Sequence, residues 1–389
     1  MTKLPPPIMT SEKGSFARKT IEELKPGIID NILSVYDYTP QIRKTLLELK
    51  NEMKNGLISQ LLENTSDKTI WDEDTRLYTG KSWLEIPWFL AETFFFRRVL
   101  EATQYFQPGP WQGKDPFQHL KTKEISNALQ PFIDAYQPES SKNDQRSFQI
   151  VCYQALWGNQ SDLSNLEIYE TTRTSEMNKF VFDQTEAAFE YLNTCRPTKI
   201  AYFLDNVGKE LYFDLALIDY FLQNKLADSI TCYLKNQPFF VSDAQPKDFL
   251  KAIDYLASSS VEKCQRLADR ITNWTKSGVI NIEAPPFLTT SRSFREMPEA
   301  LKKQLGVHDI TILKGDVNFR RLVGDRHWDP TTPLEGAAGY FFTTFLSLRT
   351  LKSELIVGMS AEKMKTLETQ AEEDWLINGK RGMVIFAEK

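Results

Sequence analysis

Cysteine and histidine are both scarce in this chain, and their scarcity removes several chemistries at once. The four cysteines, Cys152, Cys195, Cys232 and Cys264, are scattered, and the closest two stand 32 positions apart. No CxxC or CxH pair offers a zinc site and no disulfide framework is implied, so reduced, mostly buried thiols are expected. The three histidines, His119, His308 and His327, are too dispersed for a His-rich metal site. They also leave little room for a Ser-His-Asp centre, and no GxSxG elbow is present. Glycine-rich phosphate loops are missing too: there is neither GxxxxGK[ST] nor GxGxxG. No stretch of 18 apolar residues occurs, and the opening MTKLPPPIMTSEKGSF has no apolar run of the signal-peptide kind. A soluble, cytoplasmic protein without a membrane partner is expected. Dense Lys/Arg runs are absent, and 47 basic against 52 acidic residues give a net charge of −5. Nucleic acid is therefore not an expected partner, although a local basic pocket for phosphate remains compatible.

What the chain does have is core-forming material. Hydrophobic residues make up 41% of the 389 positions and aromatics 12%, enough for one large or two coupled domains and too much for disorder. Residues 1–15, with Pro5-Pro6-Pro7, read as a flexible lead-in. Residues 16–195 carry mostly helical spacing, strongest over 41–62 and 86–102, with further helices over 121–135, 147–156 and 175–192. Trp88, Phe89, Phe94, Phe95 and Phe96 read as core, and Arg97 and Arg98 as a solvated or salt-bridged face. From residue 196 to 389 the pattern changes to short apolar runs at 200–204, 230–234, 279–282, 310–313, 355–357 and 383–386. Helical segments over 210–225, 246–257, 261–274, 298–304 and 336–351 separate most of them. The expected fold class is α/β: a Rossmann-like, mostly parallel sheet with helices on both faces, plus an N-terminal all-helical domain. A monomer is the favoured state.

In such a sheet, ligands bind beyond the carboxyl ends of the strands at the topological switch point. The first predicted strand runs into Asp205-Asn206-Val207-Gly208. An Asp beside an Asn offers hard oxygen donors suited to Mg²⁺ or Mn²⁺, or else a helix N-cap. Asp243 follows the second strand just before Pro246 opens a helix, and alone it reads as another N-cap. The fourth strand exits into Lys314-Gly315-Asp316-Val317-Asn318-Phe319-Arg320, where acidic, amide and cationic groups crowd together; Lys and Arg are what a phosphate needs. Arg349 and Lys352 are three apart and on a helix would share a face, either converging on an anion or complementing the helix dipole. A haloacid-dehalogenase-like site would need an Asp at 207, where Val207 stands.

Together, FLDNVGKEL (203–211), PFFVSDAQPKD (238–248), LKGDVNFRRLVGDRHW (313–328) and LRTLK (348–352) resemble the damage-control phosphatase family, in its subfamily of acidic-residue methyltransferase-like proteins. WLEIPWFLAETFFFRR (83–98) and LWGNQSDLS (156–164) resemble its helical portion, so the likeness spans most of the chain. The resemblance implies a divalent metal (Mn²⁺, Mg²⁺, Co²⁺ or Ni²⁺) held by Asp205, Asn206 and Asp243. It implies Glu210, Asp316, Asn318, Arg320 and Lys352 as substrate-pocket residues, with Asn159 either reaching the same site or capping a helix. Lys209 stands where the family leads one to expect an aromatic residue. The activity implied is hydrolysis of small phosphorylated metabolites, sugar phosphates such as fructose phosphates among them. Asp205 and Asp243 are the candidate general bases, and Arg320 and Lys352 would stabilise phosphoryl charge. The alternative is S-adenosylmethionine-dependent methylation of protein glutamates. A dication with Arg and Lys suits phosphate better than a sulfonium, which favours acidic or aromatic surroundings.

Overall fold

The structure is a computed structural model that describes residues 4–137, 142–158, 179–195, 198–371 and 374–389. Among them, seven strands form one sheet: β1 (Phe180–Asp183), β2 (Lys199–Phe203), β3 (Ser229–Tyr233), β4 (Ile280–Glu283), β5 (Ile310–Lys314), β6 (Thr344–Thr350) and β7 (Gly382–Ala387). Their spatial order is β1-β7-β6-β5-β2-β3-β4. From β6 to β4 all neighbours are parallel, while β7 runs antiparallel to β6 and carries β1 parallel to itself at the edge. The α/β expectation is met. The central strand β2 is buried on both faces, as helices on either side of a parallel sheet require.

The period-two alternation of strand side chains divides the sheet's packing into two cores. Ile200, Tyr202, Ile230, Cys232, Ile310 and Ile312 face one way, towards helices Gln118–Ala135, Gln145–Trp157, Lys209–Gln223, Pro246–Ala257 and Glu262–Ser277. Ala201, Phe203, Tyr233, Leu313, Phe345 and Met383 face the other, towards helices Glu299–Leu305, Gly315–Val323 and Leu334–Ala338. A third cluster unites residues 8–117 around Trp71, Trp83 and the expected aromatic stripe Trp88, Phe94, Phe95 and Phe96. Cores therefore separate near residue 117 rather than at 195/196, because the helices at 118–135 and 145–157 cover the sheet.

Three local expectations are corrected. Of the helix expected over 175–192, residues 175–178 lie outside the described residues, and the described part is strand β1 followed by helix Thr185–Thr194; a short apolar run satisfies either period. The helix expected over 336–351 is helix Leu334–Ala338 and then β6, so the strand expected at 355–357 is instead a buried loop packed into the second core. The lead-in is not loose along its described length. Ile8 and Thr10 are buried, the Ile8 amide donates to the Asp325 carbonyl at 3.0 Å and the Trp88 amide donates to the Ile8 carbonyl at 2.8 Å. The four cysteines are unbridged; Cys152, Cys232 and Cys264 are buried and Cys195 is exposed. Among the described residues no helix is long and apolar enough to cross a membrane.

Candidate active site

The chain leaves β2 towards β3 on one side and returns through β5 on the other, so β2 and β5 flank the switch point. There a cavity of about 310 Å³ opens at the carboxyl ends of the strands. Asp205 and Asp243 are 38 positions apart in sequence but meet through backbone pairing. The Val207 amide donates to the Ser242 carbonyl and the Ala244 amide to the Asp205 carbonyl, both at 2.8 Å. A bridge between Asn206 and Asp243 completes the ladder. Both carboxylates line the cavity, as do Asn206, Glu210, Lys314 and Asp316.

The polar groups on the floor are crowded. Asp205 Oδ2 accepts from Asn206 Nδ2 at 2.8 Å, while its buried Oδ1 has no hydrogen-bond partner among the described residues. Asn206 Nδ2 also donates to Glu210 Oε2 at 3.3 Å, and Asn206 Oδ1 accepts from Ser242 Oγ at 2.7 Å. Burial, then Glu210, then Asp243 push the Asp205 carboxyl well above the usual carboxylate range. Burial also raises Asp243, against the pull of Lys235, whose Nζ lies 3.2 Å from Asp243 Oδ2. Lys314, at the end of β5, pairs with Glu210 and lies 3.7 Å from Asp214. Burial works against its ammonium, yet Asp214 and Glu210 outweigh burial and hold it above the ordinary lysine value. Asp214 itself is pushed up to about 7, chiefly by burial.

Gly315 explains how these parts fit. Its φ is +84°, and a Cβ there would lie 1.9 Å from Asp205 Oδ2. Only a residue without a side chain lets the turn from β5 into helix Gly315–Val323 pass beside that carboxylate.

Other expected residues fare unevenly. Asp316 lines the cavity, and its Oδ1 accepts from Arg349 Nε at 2.7 Å and Ser353 Oγ at 3.0 Å. Arg349 is thus a fully buried brace on β6, with Nη1 donating to the Leu355 carbonyl, and does not share a helical face with Lys352. Lys352 lies just past β6 and is exposed at the cavity mouth. Arg320 lines the cavity, but its guanidinium is engaged by Asp325 and Glu92, each at 2.7 Å, and lies 3.9 Å from the Trp88 ring centroid. Asn318 does not line the cavity; it is buried, and its Nδ2 donates to the Lys314 carbonyl at 2.7 Å, a bond along its own helix turn. Asn159 lies outside the described residues.

Sequence reasoning missed Lys25 and Glu92, paired at 2.8 Å in the cavity wall. Glu92 had a readable signal, being a carboxylate inside the apolar run WFLAETFFF. Lys235 had one as well, since it follows β3 within two residues. The N-terminal segment adds Phe16, Thr20, Leu24 and Ile28 to the wall.

Among the described residues no three Asp, Glu, His or Cys side chains make a metal cage. The available donors are two carboxylates and one amide. That set fits Mg²⁺ or Mn²⁺, which keep several waters and need only one or two protein carboxylates. The partnerless Asp205 Oδ1 and the mutual repulsion of the carboxylates point the same way.

Comparison with known proteins supplies independent context. A DUF89 family protein from Pyrococcus horikoshii aligns over 95% of this chain and 97% of its own, with a TM-score of 0.51 and 15% identity, and so shares the fold. The damage-control phosphatase ARMT1 of Danio rerio is 27% identical over 439 aligned positions, covering 99% of this chain and 97% of the relative. Its Xenopus laevis counterpart is 29% identical with 97% of each chain covered, and the Homo sapiens protein 25% identical with 98% of each. Residues 20–367 match the family described as the damage-control phosphatase ARMT1-like domain. This chain belongs to the ARMT1-like damage-control phosphatase family.

Proposed function

We propose that the protein hydrolyses small phosphomonoesters, sugar phosphates such as fructose phosphates among them, with a divalent cation held by Asp205, Asn206 and Asp243. The observation that carries this reading is the convergence of Asp205 and Asp243 at the switch point, with Asp205 Oδ1 buried and partnerless. When bound, such an ion polarises a phosphoryl oxygen and acidifies its bound water. The protein's own groups supply the rest. Lys352, exposed at the mouth, meets the incoming phosphate as a mobile point charge. Lys314 is held ionised by Glu210 and Asp214 and offsets the acidic floor. Arg349 and Ser353 fix Asp316 with one oxygen engaged, which leaves the carboxylate rigid towards a substrate hydroxyl. Arg320 contributes positive potential while staying bonded to Glu92 and Asp325. The cavity volume of about 310 Å³ sits at the small end of ligand pockets and favours a metabolite over a phosphoprotein.

The test is turnover of a generic phosphomonoester with Mn²⁺, Mg²⁺, Co²⁺ or Ni²⁺ supplied in turn. Activity is expected to vanish with EDTA and in Asp243→Ala, with the variant still folded by circular dichroism. Phosphatase activity that survives both treatments overturns the proposal. Transfer of a labelled methyl group without phosphatase activity would instead favour the methyltransferase reading.

A further inference from the structure

Hydrolysis of an alkyl phosphate leaves an alkoxide, a poor leaving group unless a proton reaches it as the bond breaks. The floor described above is rich in carboxylates and lysines already engaged with one another. Glu124, on helix Gln118–Ala135, differs from them. It is half-buried, and among the described residues its carboxyl accepts no hydrogen bond and forms no close ion pair. It nonetheless sits against the site's own backbone. A Cβ on Gly208 would lie 2.6 Å from Glu124 Cγ and 3.0 Å from its Oε1. Gly208 follows Asn206 by two positions and precedes Glu210 by two, and its φ of +82° and bare Cα make room for the carboxyl.

We propose that Glu124 is the general acid that protonates the leaving-group oxygen, an assignment that rests on the phosphatase reading above. As the oxygen of the attacking water bonds to phosphorus, the phosphorus–oxygen ester bond breaks and its electron pair goes to the departing oxygen. The Glu124 carboxyl gives that oxygen its proton, releasing an alcohol and leaving Glu124 as carboxylate. The water delivers two protons to phosphate and solvent, from which Glu124 is recharged.

The surroundings suit the role. The groups that act on Glu124 are Glu210 at the start of helix Lys209–Gln223 and Lys352 beyond β6. From helix Pro246–Ala257, Lys251 donates to Thr122 and Asp248 pairs with Lys121, so both are engaged with residues other than Glu124. Burial first, and then the Glu210 charge, push the Glu124 carboxyl up to about 7, against the opposing pull of Lys352. A carboxyl that still carries its proton near neutrality, packed against the Gly208 turn between the cavity-lining residues Asn206 and Glu210, is what a general acid needs.

The experiment compares wild type and Glu124→Gln on two esters, with Mn²⁺ supplied. One is 4-nitrophenyl phosphate, whose phenolate departs without help; the other is a hexose 6-phosphate, whose alkoxide does not. The variant is expected to lose ~100-fold or more in kcat on the hexose ester while keeping aryl turnover within about threefold, which also shows that it folds. The fall in wild-type hexose-phosphate activity above about pH 7 is expected to disappear in the variant. Equal losses on both esters, or no loss on either, overturn the assignment while leaving the phosphatase reading intact. A wild type that hydrolyses only the aryl ester overturns the assignment too. A wild type inactive on both removes the phosphatase reading and this inference with it.

Discussion

Replacing Gly315 with alanine tests the architecture of the site through a single methyl group. The added Cβ would lie 1.9 Å from Asp205 Oδ2, and real Cβ contacts essentially never fall below 3.0 Å. Relief requires a relative shift of about 1 Å, and a misplacement of that size at a reacting centre costs on the order of 100-fold in rate. Asp205 cannot simply retreat. Its carbonyl accepts from the Ala244 amide at 2.8 Å, and the adjoining Leu204 amide donates to the Tyr233 carbonyl at 3.1 Å. The φ of +84° adds a backbone penalty of ~1–2 kcal/mol that has nothing to do with the site. Gly278→Ala isolates that penalty: φ there is +78° and nothing lies within 4 Å of the new Cβ. Phosphomonoester turnover and denaturant midpoints should be measured on both variants. Both should lose stability, Gly315→Ala the more because its methyl group is forced into a packed interior, while only Gly315→Ala loses ~100-fold in kcat/KM. Wild-type turnover in Gly315→Ala, or an equal loss in Gly278→Ala, refutes the placement of Asp205 against the β5 turn.

Lys352→Ala and Arg349→Lys should separate binding from bracing. The first is expected to cost ~100-fold in kcat/KM with stability changed by ~0.5 kcal/mol or less. The second is expected to cost ~2 kcal/mol in urea unfolding, because the Leu355 carbonyl and Ser353 lose buried donors; a reversed pattern would refute both assignments. Lys235→Met leaves Asp243 buried without its nearest cation and should cost ~3 kcal/mol, read from the urea midpoint, where no shift would show that the pair is immaterial. The pH dependence of the metal-free protein follows from Asp214, whose carboxyl rises from 3.8 to about 7 on folding, chiefly through burial. The folded state then holds a proton that the unfolded chain has released, so stability falls as pH rises from about 4 to about 7 and is lowest above that window. In EDTA, the urea midpoint should be higher at pH 5 than at pH 8, with a smaller difference in Asp214→Asn; equal midpoints in the wild type would refute the direction.

The candidate site was legible because strand exits are a topological rule. β2 and β5 each end on the polar cluster that their sequence displays, and the helices between β2 and β5 matched their apolar spacing closely. Local pattern failed where two periods fit the same residues. TFLSLRT in β6 carries apolar residues at spacings that also satisfy a helix. Only pairing with β5 and β7 decides the matter, and with it the fate of Arg349 as a buried brace. Asn318 and Arg320 belong to a motif that the sequence marks as functional. Their contacts show one bonded along its own helix turn and the other tied between two carboxylates, of which Glu92 is far away in the chain.

By itself, the sequence determined the α/β class and the family and singled out the oxygen-bearing side chains at the strand exits, because these follow from hydrophobic period, strand order along the chain and short motifs. Tertiary structure alone decided which donors are free. The partnerless Asp205 oxygen, the closeness of Gly315, the Lys235 ion pair and the approach of Glu124 to Gly208 all arise between segments remote in sequence. The physical reason is that a carboxylate's chemistry depends on its burial and on the charges around it, and neither is encoded in its immediate neighbours along the chain.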